Sequence, residues 1–373
     1  SAGSPAIGCD RLESAFTRYT MGASVSQENG QDVSTPAHIR PPTIADVAAR
    51  AGVSLATVSR VMNGNRSVDE GLAQKVRAAA AELNYSASPV ARSLVLGKTN
   101  TIAVVVPDLE NPTFHGVLRG LSRAAARDGY HVLIADSAES VDEERILAVE
   151  TRRRCDGIVL CAPRMADGDL RPLLSELNPV VLVNRDAQSS GTPVVAADYK
   201  AGLAELLALL YGLGHRSLAY VAGPQRSASN ARRLAAVREF LGDHSDATIQ
   251  IVPGGVSFAD GYYAVERVIA SATTGVLAFN DLVAMGLMSA LGERGIRVPD
   301  QISVVGFDDI PFARYMTPPL TTAAVPVVEL GEQAWHRMWD LLHERRPGRP
   351  TNFRPQIVNR GSAGPVPASE AVR

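Results

Sequence analysis

Thr43-Ile44-Ala45-Asp46-Val47-Ala48-Ala49-Arg50-Ala51-Gly52-Val53-Ser54-Leu55-Ala56-Thr57-Val58-Ser59-Arg60-Val61-Met62-Asn63-Gly64 is the stretch that decides how this chain is read. Ile44, Val47, Ala48 and Ala51 fall at i, i+3, i+4 and i+7, one face of a helix. Thr43 stands at the N-cap, and Asp46 lies near the positive end of the helix dipole. Gly52 stops this helix. Ser54 caps a second one carrying Val58, Val61 and Met62, and Asn63-Gly64-Asn65 ends it. A third helix carries Leu72, Val76, Ala79 and Leu83. Helix, tight turn, helix is the spacing of a unit that lays its second helix in a DNA groove.

Outward from this stretch the composition changes twice. Residues 1–42 are rich in Ser, Gly, Ala and Pro without a sustained period, which predicts a disordered extension. Residues 363–373 read as a flexible tail. Beyond Thr101, apolar runs of strand length alternate with amphipathic stretches. Strands are expected at 101–106, 130–135, 157–161, 180–183, 217–221, 275–279 and 302–305, with helices at 112–128, 141–153, 198–212, 229–242, 258–272 and 281–294. Continuously apolar strands between helices imply parallel sheets covered on both faces. About 260 residues of this pattern exceeds one comfortable core, so two α/β lobes are expected. Ligands in such sheets bind beyond the carboxyl ends of strands. That rule gathers 107–114, 136–137, 184–186, 223–229, 280–281 and 308–309 around a cleft.

Charge sharpens the division. The 373 residues carry 37 Lys+Arg against 39 Asp+Glu, a net charge of −2. Residues 40–98 hold eight cationic and four anionic side chains, so this +4 segment leaves −6 for the rest. A basic segment that is also helix-turn-helix points to phosphate contacts. No apolar run reaches the roughly 18 residues of a membrane span. Cys9, Cys155 and Cys161 are odd in number and lack Cys-x-x-Cys spacing, which fits a reducing cytoplasm. The seven His residues show no metal spacing, and no metal or cofactor is expected. Gly212-x-Gly214 precedes a strand instead of following one, Gly97-Lys98-Thr99 lacks the upstream glycine of a P-loop, and no Gly-x-Ser-x-Gly elbow occurs. Nothing here invites an enzyme.

The segment Thr43–Gly64 resembles the helix-turn-helix of the lactose-repressor (LacI/GalR) family of bacterial transcription factors. Leu83-Asn84-Tyr85 followed by Val90-Ala91-Arg92-Ser93-Leu94 is similar to that family's hinge. The resemblance continues through Asn111-Pro112-Thr113-Phe114, Asp156-Gly157-Ile158, Leu213-Gly214-His215-Arg216, Phe279-Asn280-Asp281, Val304–Asp309 and Pro318-Pro319-Leu320-Thr321-Thr322. It covers about Thr43 to Ser362. It implies an all-α helix-turn-helix DNA-binding domain at 43–87, a hinge helix at 88–98, and a periplasmic-binding-protein-like α/β core of two parallel-sheet lobes at 99–362. In that core the chain would cross between lobes three times, with 100–190 and a return segment near 324–343 forming the DNA-proximal lobe. The implied protein is a cytoplasmic regulator, a repressor, that binds a near-palindromic operator in double-stranded DNA as a homodimer under a small effector, with no membrane partner. A sugar-binding protein of the periplasmic class without DNA function, or an unrecognised α/β enzyme, is the alternative.

The resemblance assigns residues. Leu55, Ala56 and Arg60 match the positions that face base edges. Arg60 has the two donors that suit guanine, whereas Leu55 and Ala56 offer only apolar contact, as to thymine methyls. Thr43, Ser54, Thr57, Ser59, Asn63, Tyr85 and Arg92 read as phosphate, capping or hinge contacts. Leu94 matches a minor-groove wedge. Ala87 replaces the family's usual proline, and Pro89 follows two residues later. In the core, Asp281 is expected to accept sugar hydroxyls, Asn280 to cap its helix, Arg233 to contact the ligand and Phe114 to stack on a ring. Asp136, Arg185 and Ser229 complete the expected lining. Asn184, Val256 and Thr113 depart from the usual Asp and aromatic residues. Fewer aromatic faces favour a hydroxyl-rich sugar or polyol over a stacked purine. Arg60→Ala is expected to weaken operator binding by roughly 1–3 kcal/mol in a salt-dependent retention assay. Wild-type protein that retains random DNA as well as its operator would exclude a sequence-specific regulator.

Overall fold

The computed structural model describes residues 40, 42–62, 68–86, 97–186, 191–346 and 348–366. Contacts divide the chain into one unit ending at Ser86 and a larger one from Ala87 onward. Asn63, Arg92, Leu94, the Ala87–Pro89 departure, and nearly all of the expected extension and hinge lie outside the described residues.

The smaller unit is built from α1 (Ile44–Ala51), α2 (Leu55–Met62) and α3 (Glu70–Glu82). Asp46 Oδ2 accepts from the Thr43 backbone N–H at 2.7 Å, a reciprocal clasp on the first turn of α1. Gly52, at φ +66°, takes the left-handed turn that ends α1 at no steric cost. Ser54 Oγ accepts from Thr57 N–H at 3.2 Å and starts α2, and Asp69 does the same for α3 through Leu72 N–H. Val47, Val58 and Val76 meet in the centre, each from a different helix and each fully buried. On α3 the buried face runs through Ala73, Val76, Ala79 and Ala80, while Leu72, expected inside, is exposed.

The larger unit holds two six-stranded sheets. Strands β1 (Thr101–Val106), β2 (His131–Asp136), β3 (Gly157–Cys161), β4 (Val180–Val183), β5 (Val194–Ala197) and β11 (Thr351–Phe353) lie in the order β11-β5-β4-β3-β1-β2. Strands β6 (Ser217–Ala222), β7 (Thr248–Pro253), β8 (Gly275–Ala278), β9 (Ser303–Asp308), β10 (Thr321–Ala324) and β12 (Gln356–Val358) lie in the order β12-β10-β9-β8-β6-β7. Every pairing is parallel except the antiparallel pair of β10 and β12. The helices are α4 (Pro112–Arg127), α5 (Val141–Arg152), α6 (Asp167–Glu176), α7 (Tyr199–Gly212), α8 (Ala228–Asp243), α9 (Phe258–Tyr263), α10 (Val265–Ala270), α11 (Asp281–Glu293) and α12 (Val327–Leu342). The two-lobed parallel architecture expected from the apolar pattern is therefore present. Strands β5, β7, β10, β11 and β12 and helix α6 were not anticipated. The single helix expected over 258–272 is divided at Ala264 into α9 and α10.

The chain passes between sheets after β5, after β10 and after β11. Two of these passages are joined where Asp198 N–H donates to the Phe353 carbonyl at 2.8 Å. The return helix α12 is drawn against α4 by glycine. A Cβ at Gly120 would come 2.0 Å from the Val328 carbonyl, and one at Gly331 would come 2.0 Å from that of Val117. No larger residue permits this backbone approach.

His215 ties the C-terminal segment to the second sheet. It is fully buried, and its ring meets Thr274 Oγ1 at 2.9 Å, Ser303 Oγ at 3.1 Å and the Gly364 carbonyl at 3.0 Å. Burial holds its pKa below the ordinary histidine value, with the Gly364 carbonyl opposing. A depressed folded-state pKa means that the neutral ring is stabilised. This contribution is complete above the unfolded value of about 6.5 and is lost as pH falls through the folded one. Thermal melts should therefore show wild type losing more stability than His215→Gln between about pH 7 and pH 5. Equal losses would exclude a role for this ring in the acid response.

Candidate nucleic-acid interface and effector cleft

The outer face of α2 carries Leu55, Ala56 and Arg60, all exposed, with Ser54 just before it. Leu55 is 52% exposed at the start of a helix whose other apolar residues, Val58 and Val61, are buried. Arg60 has no carboxylate partner among the described residues. The neighbouring cations do: Arg40 lies 3.6 Å from Asp46, Arg50 2.5 Å from Glu82 and Arg77 2.9 Å from Glu70. The charge on α2 is thus left open to an outside anion. Thr57 is half-buried, its hydroxyl 2.9 Å from that of Ser54, and Ser59 is half-buried beside it. Thr43 is engaged with Asp46. Tyr85 packs against the small core.

In the larger unit a cleft of about 850 Å³ opens beyond the strand ends, lined among others by Asn184, Arg185, Asp198, Tyr199, Ser229 and Arg232. Asn184 follows β4 at φ +56°, a conformation asparagine tolerates, and its Oδ1 accepts from Ala197 N–H at 3.0 Å. Arg185 is spent on the protein itself, donating to the carbonyls of Pro163 and Met165 and to Asp167. The Ser229 hydroxyl meets that of Ser227 at 2.9 Å.

Arg233, one turn into α8, is 1% exposed. The rings of Phe307, Tyr199 and Phe279 surround its guanidinium carbon at 4.0, 4.4 and 4.6 Å. Its Nε and Nη1 are buried without a hydrogen-bond partner. Asp308, at the carboxyl end of β9, feels the Arg233 charge and accepts from Thr113 Oγ1 at 2.9 Å. Burial pushes the Asp308 carboxyl up to about 6, against the pull of Arg233 and Thr113. Its φ of +110° is a strained backbone for a non-glycine residue. The Thr113–Asp308 bond spans the two lobes, since α4 belongs to the first and β9 to the second.

Several expected site residues lie elsewhere. Asp281 does not reach a ligand. It is fully enclosed, with Oδ1 accepting from Thr322 Oγ1 at 2.6 Å and Oδ2 from Ile310 N–H at 2.8 Å. Burial beside Asp308 lifts its pKa well above the usual carboxylate range. Asn280 caps α11 through Val283 N–H and holds the Val256 carbonyl through Nδ2, both at 2.8 Å. Neither Asn280 nor Val256 lines the cleft. Phe114 is buried in the first lobe's core instead of offering a ring face. Asp136 is exposed and accepts from the Leu109 and Ala138 amides. The carboxylate beside Arg233 is Asp308, absent from the expected contact set. Its signal was there, in Gly306-Phe307-Asp308-Asp309 at a strand's carboxyl end. Among the described residues no group of three His, Cys, Asp or Glu side chains could hold a metal, and no helix is long and apolar enough to cross a membrane.

A helix-turn-helix with an open cation, joined to a two-lobed core with a ligand cleft, defines a DNA-binding regulator with a sensor domain. The comparisons agree. Residues 43–88 match the model of bacterial regulatory proteins of the lacI family, and 207–363 match a periplasmic binding protein-like domain. The regulator AscG of Escherichia coli is 32% identical over 331 residues, covering 86% of this chain and 98% of that one. The repressor PurR of Vibrio atlanticus matches with the same identity and coverage. The lac repressor dimer bound to operator and an anti-inducer superimposes with a TM-score of 0.78 at 27% identity, covering 87% of this chain and all of that one. The regulator CelR in complex with cellobiose superimposes with a TM-score of 0.63 at 26% identity, covering 86% of this chain and 99% of that one. This chain belongs to the lacI family of bacterial regulatory proteins, and it is a DNA-binding transcriptional regulator.

Asp281→Ala is expected to lower ligand-free stability by roughly 1–3 kcal/mol, because it strands the buried Ile310 N–H and Thr322 hydroxyl. A thermal melt without ligand checks this. An unchanged midpoint would return Asp281 to the set of pure ligand contacts.

Proposed function

We propose that this protein represses transcription as a homodimer, holding a near-palindromic operator through α2 and responding to a sugar or polyol in the cleft between its lobes. The observation that carries the effector reading is Arg233, a buried guanidinium with unpartnered nitrogens inside three aromatic rings. Leaving such donors unmade costs roughly 1–3 kcal/mol or more, so a ligand oxygen that reaches them gains accordingly. Asp308 supplies the matching acceptor for a hydroxyl. Related structures hold ribose or cellobiose, which supports this ligand class.

Base contacts in this reading fall to Leu55, Ala56 and Arg60. Thr43, Ser54, Thr57, Ser59, Asn63, Tyr85 and Arg92 position the phosphates, and Leu94 enters the minor groove from a hinge over 88–98. Exposed Leu133 and Ile134 on edge strand β2, with Phe258, Tyr263, Phe312 and Tyr315 in the second lobe, form apolar surface for a second copy to cover. The protein works on the chromosome in the cytoplasm, and the cleft binds and releases its ligand unchanged.

Ligand closes or reorients the lobes and so changes how the two hinges meet the operator. Linkage then requires operator to change effector affinity by the factor that effector changes operator affinity. Titrations of each ligand with and without the other test this in a sugar and polyol panel, with Arg233→Met beside wild type. A stabilising sugar should lose its effect in Arg233→Met, and equal affinities with and without operator would overturn the allosteric reading.

A further inference from the structure

The cleft's inventory of donors and acceptors is lopsided. This inference rests on the reading of that cleft as the effector site. Asn184 lines it and is 7% exposed. Because Ala197 N–H donates to the Asn184 side chain, the accepting atom must be Oδ1, which fixes the amide orientation and leaves Nδ2 with two donors. Nδ2 makes no hydrogen bond among the described residues. Arg233 adds Nε and Nη1, buried and unpartnered. Helix α8 begins at the cleft with Ala228 and Ser229, whose N–H groups have no intrahelical acceptor. Arg226 lines the same wall and has no carboxylate partner among the described residues.

The acceptors, by contrast, are largely taken. Asp167 accepts from Arg185 at 2.8 Å, Asp186 faces Arg232 at 3.7 Å and Asp198 accepts from Ala201 N–H at 3.0 Å. Asp308 gives one oxygen to Thr113 and keeps Oδ1. The rings of Tyr199, Phe279 and Phe307 are turned to Arg233, so they do not offer a stacking face. A sugar hydroxyl brings both a donor and an acceptor and would leave its proton unmatched at most of these positions. A carboxylate or phosphate is acceptor-only and matches convergent donors.

We propose that the effector is a small polyol carrying an oxyanion, a sugar acid or a sugar phosphate, whose charged group is received by Arg233, Asn184 and the first turn of α8 while a neighbouring hydroxyl meets Asp308. The family's usual Asp at 184 would repel such a group, whereas Asn184 donates to it. The substitution is a specificity determinant for charge.

Calorimetric titration of the full chain with matched sets tests this: glucose, gluconate and a glucose phosphate, then ribose, ribonate and a ribose phosphate. An acidic member should bind at least tenfold more tightly than its neutral parent, and whether it is the acid or the phosphate identifies the source of the oxyanion. Asn184→Asp keeps the acceptor for Ala197 N–H and tolerates the same backbone, so its melting temperature should stay at the wild-type value. It should nevertheless lose at least tenfold in affinity for the acidic ligand. Undiminished acidic-ligand affinity in Asn184→Asp overturns the proposal. So does a neutral parent that binds more tightly and depends on Arg233, although that result leaves the effector cleft standing. Failure of every acidic and neutral member to bind overturns the proposal and the cleft reading together.

Discussion

The hydrogen bond from Asp198 N–H to the Phe353 carbonyl, where two interlobe passages meet, constrains everything above and below it. Each sheet is parallel and must be covered on both faces. The chain meets that demand only by leaving the first lobe at 198, returning as α12 and leaving again after β11. The glycine-lubricated contact of α12 with α4 follows from this route, because the returning helix must share a face that α4 already covers. So does the cleft, whose walls are the strand ends that the passages hold opposite one another. Motion between lobes is channelled through the passages, and away from them the Thr113–Asp308 bond is a contact that such motion must break.

Arg233 shows how a functional position departs from ordinary packing. Three aromatic rings each offer a buried cation about 0.5–2 kcal/mol, which offsets part of its lost hydration. They cannot satisfy its N–H groups. The protein therefore holds a preorganised donor in place before any ligand arrives. Asp281, a few residues from the same cleft, has the opposite character, with every oxygen accounted for by Thr322 and Ile310.

The helix-turn-helix was legible because its signals are local: Thr43 with Asp46, Gly52, Ser54 and an apolar face that repeats within one turn. The central strands β3 and β4 were legible because burial on both faces leaves them apolar throughout. Edge strand β7 was not, since Thr248–Pro253 is largely exposed and carries no continuous apolar run. Helix α6 was hidden by Pro172, which interrupts the periodic reading though the helix continues through it. At the site, sequence alone could not separate Asp281 from Asp308, two carboxylates at strand-to-loop junctions. What separates them is Gly306: a Cβ there would sit 2.2 Å from Asp281 Oδ1, and only its absence lets that carboxylate tuck beneath β9. Such a contact is made by residues 25 positions apart and has no local signature.

Strand β2 has one paired edge and one bare edge, and Leu133 and Ile134 stand exposed along it. In a dimer that surface is covered. A lone copy presents it to water and to other chains, which ties folding to partner supply. Operator occupancy then scales with the square of subunit concentration wherever dimers are scarce. A modest change in synthesis rate would move such a gene circuit more sharply than a monomeric regulator could.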